Sequence, residues 1–387
     1  MKIAFIGQKG IPAIMGGVER HVEEVAIRLV EQGHDVTVYT RPNYTDEKLS
    51  EYKGVKLVSF HSVPTKHLDA ISHTFASIFH AAIKRYDIVH FHSIGPSSLI
   101  WFFKLLNPST PVVATFHSRD YFHKKWGVFA RTYLRLSEFL LCKSAEVVVA
   151  VSKGISEYAS KKYFISPIYI PNGITMPEVK EANEIKKWGL EKGNYILAVT
   201  RLIRHKGIHY LIDAYKRLNT EKKLVIVGEG FHSDDYVKEL HDKAGANSNI
   251  IFTGAQHGDI LTELFSNAYL FAQPSEAEGL SIALLEGMSY GLPVLVSDIV
   301  ENKEVIENTG FKFTSKSVSD LEMKLKNLLD MDEIQQYGKM ARNRVDKLYN
   351  WDTIASDLGH LYEKTVLKYA KEKRFFKRIR KARSILF

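Results

Sequence analysis

Residues 273–298 read Gln-Pro-Ser-Glu-Ala-Glu-Gly-Leu-Ser-Ile-Ala-Leu-Leu-Glu-Gly-Met-Ser-Tyr-Gly-Leu-Pro-Val-Leu-Val-Ser-Asp. Pro274 and Gly279 punctuate a tight loop, Gly291 stands where a helix C-cap belongs, and Pro293 follows it. The stretch therefore parses as strand end, loop, short helix, turn and strand, a βαβ unit of an α/β protein. The predicted helix, residues 281–290, carries Ile282, Ala283, Leu284, Leu285 and Met288, so it is apolar on nearly every side and expected to be buried. Glu286 sits in its middle, where a carboxylate is costly unless something hydrogen-bonds it. Glu278 stands eight residues earlier, in the loop at the positive end of the helix, where the dipole favours a carboxylate and free amides can meet an anion. Two carboxylates with amides between them suit a ligand that carries both hydroxyls and phosphate, such as a nucleotide sugar. Residue types alone equally allow a capping Glu278 and a Glu286 paired with a basic residue of a neighbouring helix.

At 387 residues the chain is long enough for two domains, each with its own core. Its 45% apolar and 25% charged residues are ordinary for a soluble globular protein. Cys142 is the only cysteine, which excludes an intrachain disulfide and points to a reducing, cytoplasmic compartment. Met-Lys-Ile-Ala-Phe-Ile-Gly at the N-terminus reads as a strand and a glycine loop rather than a signal peptide. The most apolar patches, 99–103 and 147–151, are far shorter than the roughly 20 residues a spanning helix needs. Residues 371–387 hold eight Lys or Arg against Glu372, a local charge of +7, which leaves only +2 of the net +9 for the rest of the chain. Phe375, Ile379, Ala382 and Leu386 fall at i, i+4, i+7 and i+11 among those cations. This is the pattern of a basic amphipathic helix on the anionic inner-membrane surface, each basic residue near the surface contributing about 1 kcal/mol. A solvated tail is the other reading. A nucleic-acid partner is not expected, because the rest of the chain has no basic reserve for a groove.

Taken in order, residues 3–6 read as a buried strand, the loop 7–17 holds four glycines and Pro12, and a helix from Gly17 carries Val18, Val22, Val25 and Leu29 up to Gly33. Gly16 and Gly17 thus lie at a helix N-terminus, where backbone amides can face a phosphate. A dehydrogenase is disfavoured: Gly7-Gln-Lys-Gly10 is not the dinucleotide fingerprint, and Thr40-Arg41 ends the second strand where an NAD enzyme carries an acid. Strands at 88–91 and 112–116 follow, and His117 ends the second, where open α/β sheets bind ligands, although a lone strand-end histidine is more often structural. His90 and His92 are read as structural, unable both to point at one ion. The apolar helix 98–106 is read as core, with a lipid-facing patch as the alternative. Asn172 and Gly173, after Pro171, are hinge candidates opening an interdomain linker that reaches Gly193.

A second run of strands (195–199, 224–227, 250–252, 269–272) and helices (208–218, 260–265) then begins. Arg201 and Lys206 flank a turn that feeds the first of these helices, an arrangement suited to a diphosphate, or else two solvated cations. Gly228 and Gly230 end the next strand, and Gly230 fits a close backbone approach. Asp330-Met-Asp332, the only Asp-x-Asp, lies in a helical connection, so neither a metal nor a cofactor is expected. Helices at 320–329, 332–348 and 352–371 complete the chain.

The spacing Pro-Ser-x-x-Glu278-Gly-x-x-x-x-x-Leu-Glu286-Gly-Met-x-x-Gly-x-Pro-Val resembles the retaining glycosyltransferases of family 4, a GT-B group that includes bacterial capsule, exopolysaccharide and lipopolysaccharide enzymes. Gly10-Ile-Pro-Ala-x-x-Gly-Gly-Val-Glu-Arg-His is similar to the acceptor-side domain of the same family, with a weaker resemblance to a bacterial rhamnosyltransferase subgroup. Arg201-Leu-x-x-x-Lys206-Gly207 matches the family's phosphate-binding loop. The chain departs from the pattern at Gly287, where alanine is frequent, and at Leu280, where an aromatic is common.

The resemblance implies a GT-B fold, two facing Rossmann-like domains with a cleft between them and a final helix crossing back to the first. The domains are then 1–175 with 351–370 returning, 176–350, and the tail 371–387. It implies a nucleoside diphosphate sugar as donor and a glycan as acceptor, and the basic tail suggests that this acceptor is lipid-linked, at the cytoplasmic face of the membrane. Glu278 and His117 are the implied catalytic positions, and Arg201, Lys206, Glu286, Gly16, Gly17, Gly228, Gly230, Gly279, Leu280 and Ser281 the donor-binding ones. Two rivals share the architecture. A GT-B nucleotide-sugar epimerase needs an acid/base set that the sequence does not reveal. A non-catalytic membrane-associated binding protein does not account for the retained Glu278, Glu286, Arg201 and Lys206.

Overall fold

The computed structural model describes residues 1–14, 16–65, 68–119, 121, 127–230 and 233–383, with backbone only at 374 and 376–383. The chain forms two compact units. The first comprises Met1–Asp120, Val128–Pro171 and Trp351–Phe387, and the second is built on Asn172–Asn350.

In the first unit the order is β1 (Lys2–Ile6), α1 (Gly17–Glu31), β2 (Asp35–Thr40), β3 (Glu51–Tyr52), β4 (Val55–Ser59), α2 (Asp69–Lys84), β5 (Ile88–His92), α3 (Ile94–Ser97), α4 (Ile100–Leu106), β6 (Val112–Phe116), α5 (Val128–Ser144), β7 (Val147–Ala150), α6 (Lys153–Tyr163) and β8 (Ile168–Tyr169). The sheet runs β3-β4-β2-β1-β5-β6-β7-β8, parallel throughout except for the β3–β4 hairpin. Parallel strands covered on both faces must be apolar along their whole length, and Ile3, Phe5, Ile88, Val89, Val112 and Val113 are accordingly sealed from solvent. β1 pairs with β2 on one side and β5 on the other, so the strand order reverses beside β1 and opens a crevice at the carboxyl ends of β1 and β5.

The second unit continues with β9 (Tyr195–Val199), α7 (Ile208–Tyr215), β10 (Lys223–Val227), α8 (Asp234–Ala244), β11 (Ile250–Gly254), α9 (Gly258–Asn267), β12 (Leu270–Gln273), α10 (Ile282–Ser289), β13 (Val294–Ser297), α11 (Val300–Ile306), β14 (Phe311–Phe313), α12 (Val318–Leu329) and α13 (Ile334–Leu348). Its all-parallel sheet runs β11-β10-β9-β12-β13-β14. The reversal here lies between β9 and β12, whose following loops carry Arg201–Lys206 and Pro274–Ser281. The stretch that opened the reading thus begins at the switch point of its sheet.

α14 (Trp351–Arg383) returns to the first unit. Trp351, Ile354, Leu358 and Leu361 join Val22, Val25 and Leu29 of α1 in one core, and the Tyr362 hydroxyl lies 2.6 Å from Nδ1 of His90. Farther along, Tyr369 and Lys373 both donate to the carbonyl of Pro108, just beyond α4. Of the tail pattern, Phe375 is exposed, while the side chains of Ile379, Ala382 and Leu386 lie outside the described residues. No helix among the described residues is long and apolar enough to cross a membrane.

Three expectations change. The linker proposed from Asn172 to Gly193 is packed on the second unit: Asn172 Nδ2 donates to the Leu280 carbonyl (3.1 Å), Ile174 bridges Asn350, and Asn183 N donates to buried Glu263 (2.8 Å). Polar composition marked a loop there but not its anchors. The helix 98–106 is not core throughout. α4 is preceded by the separate short α3, and Trp101, Leu105 and Leu106 are 41–70% exposed. α10 is not buried all round either, because Ile282, Ala283, Glu286 and Tyr290 make a half-buried face and Glu286 lies on it.

Candidate active site

The loop after β9 and the loop after β12 are locked together. Gly207 has φ +71°, and a Cβ there would overlap the carbonyl oxygen of Pro274, so only glycine permits this approach. Glu276 N donates to the His205 carbonyl across the same gap (2.7 Å). That contact brings Lys206 Nζ to 2.6 and 2.7 Å from the two carboxylate oxygens of Glu278, which also accepts from Ser275 Oγ at 2.6 Å.

The Glu278 side chain is only 8% exposed. Burial pushes its carboxyl up, but the Lys206 ammonium, its hydrogen bonds and the Ser275 hydroxyl outweigh that and hold it below the usual carboxylate value. Glu278 is therefore anchored by an ion pair that the sequence did not show, with Lys206 as its counter-ion. Arg201 is exposed and makes no ion pair or side-chain hydrogen bond with a described residue. Arg204 pairs with Glu239. His205 is pushed down to about 4, by burial first and by Lys206 second, so it is neutral near pH 7.

Ser281 caps α10, its hydroxyl accepting from Leu284 N (3.3 Å) and donating to Gln273 Oε1 (2.6 Å). Gln273 in turn donates to Asn302 (2.8 Å). Gly279 and Leu280 are buried beside this cap, with the Leu280 carbonyl held by Asn172. Gly228 and Gly230 have packing reasons: a Cβ at Gly228 (φ +137°) would overlap the Thr200 carbonyl, and one at Gly230 would lie 2.6 Å from Val237 Cγ2. Gln273, Asn302 and Glu276 carry no signal in the sequence, because their partners lie up to 71 residues away, whereas Ser275 belongs to the Pro-Ser motif and bonds Glu278 three residues on.

In the first unit Gly16 caps α1 with φ 107°, and Gly17 begins the helix. The preceding loop is tied down by two buried carboxylates of α1: Glu19 accepts from Lys9 N (3.1 Å) and Glu23 from Ala13 N (2.5 Å). A Cβ at Gly16 would collide with the Glu19 carboxylate. Neither acid was given a role from the sequence, although Glu19 stands in the Gly-Gly-Val-Glu-Arg-His motif.

Beside that loop lies a histidine cluster. His92 Nδ1 is 3.1 Å from His117 Nε2, the His90 and His92 rings are 4.2 Å apart, and the His21 ring stands edge-on to His117 at 5.0 Å. The reading that His90 and His92 point apart is wrong: residues i and i+2 of a strand share a face, and these rings lie side by side. Burial, then the neighbouring imidazoles, push His90, His92 and His117 well below the ordinary histidine value. Ligand nitrogens of His21, His92 and His117 lie within 4.8 Å of one another, a donor group of the kind that holds a metal ion. The Asp-x-Asp reading did not reveal this group.

Comparison with known proteins gives a consistent result. Residues 15–176 match the family described as Glycosyltransferase Family 4, and residues 180–344 match Glycosyl transferases group 1. An uncharacterized glycosyltransferase of Methanocaldococcus jannaschii is 27% identical, covering 94% of this chain and 98% of its own. O-antigen chain mannosyltransferase C of Escherichia coli is 24% identical over 94% of this chain and 98% of its own. Among solved structures, an Anabaena protein in complex with UDP-glucose superposes with a TM-score of 0.78 at 21% identity, covering 94% of this chain and all of that one.

Proposed function

The chain belongs to the family 4 glycosyltransferases, with the GT-B fold, and from that premise we propose that it moves a sugar from a nucleoside diphosphate sugar to a hydroxyl of a lipid-linked glycan, with retention at the anomeric carbon. The bond from the anomeric carbon to the phosphate oxygen breaks and one to the acceptor oxygen forms. The nucleoside diphosphate leaves with the bonding electrons, and the acceptor proton passes to it or to water.

The observation that carries this reading is the buried Glu278–Lys206 pair at the switch point, with exposed Arg201 on the same loop. Arg201 and Lys206 meet the diphosphate beside the start of α7, and its charge competes with Glu278 for the ammonium. Glu286, on the half-buried face of α10, takes the ribose hydroxyls, and Gly279, Leu280 and Ser281 line the donor beside it. Gly228 and Gly230 let the nucleotide approach the end of β10. Gly16 and Gly17 do the same for the sugar phosphate in the first unit, where His117 touches the sugar or acceptor. The likeness to the UDP-glucose complex supports a nucleotide-sugar donor, and the likeness to an O-antigen mannosyltransferase supports a role in bacterial surface polysaccharide.

A lipid-linked acceptor fits a second feature of the first unit. Phe75, Phe79 and Ile83 of α2 and Trp101 and Leu105 of α4 are 43–77% exposed on adjoining helices, with Phe75 stacked on Phe102 (5.2 Å). Such a patch marks an interaction surface. The basic end of α14 leaves the same unit beside Pro108, at the end of α4. Together they suit the anionic cytoplasmic face of the inner membrane.

The test is a thermal-shift panel of UDP, GDP, dTDP and ADP sugars, followed by transfer with the best donor and NMR of the product's anomeric proton. A selective stabilisation lost in Arg201→Ala and in Glu286→Ala is expected. Activity unchanged in Glu278→Gln, Arg201→Ala and Lys206→Ala alike would refute the assignment.

A further inference from the structure

His92 and His117 share one hydrogen bond, and its direction can be worked out. His92 ends β5 and His117 follows β6, and the parallel pairing of these strands sets the two rings together. His92 Nδ1 lies 3.1 Å from His117 Nε2, and the two side chains are 0% and 6% exposed. A neutral imidazole has one N–H and one lone pair, so a single proton lies between the facing nitrogens. His92 Nε2 is sealed from solvent and has no hydrogen-bond partner among the described residues. Around the ring stand Phe5 (5.1 Å, edge-on), His90 and His21.

If His117 Nε2 donated, His92 would carry its own proton on Nε2, a buried N–H with nothing to bind. If His92 Nδ1 donates, what is buried on Nε2 is only an unused lone pair. Orphaned interior N–H groups are the rarer and costlier of the two. We infer that His92 is a positioning residue that donates through Nδ1 and fixes His117 as the Nδ1–H tautomer. His117 Nδ1 then faces the ligand as a hydrogen-bond donor to a sugar or phosphate oxygen rather than as a base. This rests on the proposed place of His117 at the sugar.

The experiment is long-range 1H–15N NMR of the 15N-histidine-labelled full chain near pH 7.5, with His117 assigned by its loss in His117→Gln. A protonated Nδ1 and a bare Nε2 on His117 are expected, and the reverse overturns the inference whatever His117 does in catalysis. Kinetics add a second readout. His92→Phe keeps an aromatic ring but no donor, and it is expected to lower kcat/KM at least about tenfold, short of the roughly 10⁴-fold loss that a wrong tautomer costs a catalytic base. His92→Asn restores a donor at the Nδ1 position and should recover most of that loss. Equal losses in the two variants, at equal thermal midpoints, would overturn the positioning role. Cobalt d–d absorption on adding Co2+, abolished by His92→Phe, would overturn it too, by making the pair metal ligands. Full activity in His117→Ala would instead sink the proposed role of His117 and leave the tautomer assignment standing.

Discussion

Glu278 and Lys206 show what a side-chain pair can hide from a linear reading. Each was legible as a family position, but their bidentate contact across 72 residues was not, because a contact distance leaves no periodicity. Removing one partner of a buried pair costs about 3 kcal/mol here, the lower end of the usual range because Lys206 keeps 14% exposure. Lys206→Ala should therefore lower the melting temperature, and Lys206→Ala with Glu278→Gln should regain most of it while remaining inactive. A double variant no more stable than the single one would show that the pair is not the cause. Gly287 can be decided by magnitude. Alanine in a helix gains about 1 kcal/mol over glycine. A Cβ at Gly287 would stand 2.8 Å from Cγ of fully buried Phe271, and overpacking of that kind costs about 1–3 kcal/mol. Gly287→Ala should thus destabilise this chain, by about 1 kcal/mol in a denaturant titration, although relatives often carry alanine there. A more stable variant would mean that the Phe271 ring yields.

Among the elements, the parallel strands were the most legible, since burial on both faces leaves apolar runs such as 112–116 and 224–227. Helices whose apolar residues face outward were the least. α2 was missed, and α4 was assigned to the core, because composition reports apolarity but not which way it points. His90 and His92 were misread for a plainer reason, since the period of a strand is two. The outward face of α2 and α4 carries its own prediction. Phe75→Ser with Phe79→Ser and Trp101→Ser should weaken sedimentation with both zwitterionic and phosphatidylglycerol vesicles. A chain ending at residue 370 should lose only the salt-sensitive binding to the anionic ones. Unchanged sedimentation of both variants would remove the membrane from the reading.

For the whole molecule, six histidines, five of them buried and His205 half-buried, set the response to acid. Burial foremost pushes His73, His205 and His209 down to about 4, and it pushes His90, His92 and His117 well below their ordinary value. They stay neutral when folded but take protons when unfolded below about pH 6.5. Their stabilisation is complete above that value and is lost as pH falls toward the folded values, by up to about 1.4 kcal/mol per pH unit for each histidine. Glu278, with its lowered value, adds a loss only at lower pH, below about 4.3. Four of the six lie in the first unit and two in the second. Hydrogen exchange between pH 7.5 and 5.0 should therefore show the first unit losing protection faster, and equal loss in both units would contradict this.

The return of α14 also sets a schedule for synthesis. The core around α1 lacks Trp351, Ile354, Leu358 and Tyr362 until about 190 residues after Pro171 have been added. At about 5–20 residues per second a ribosome needs roughly 10–40 s for that stretch. Throughout that interval the nascent first unit carries an open apolar seam along α1, while the second unit is itself being made and gains its last helix, α13, only at Leu348. The second unit is complete at residue 350, before the first, so the half translated first is the last to close.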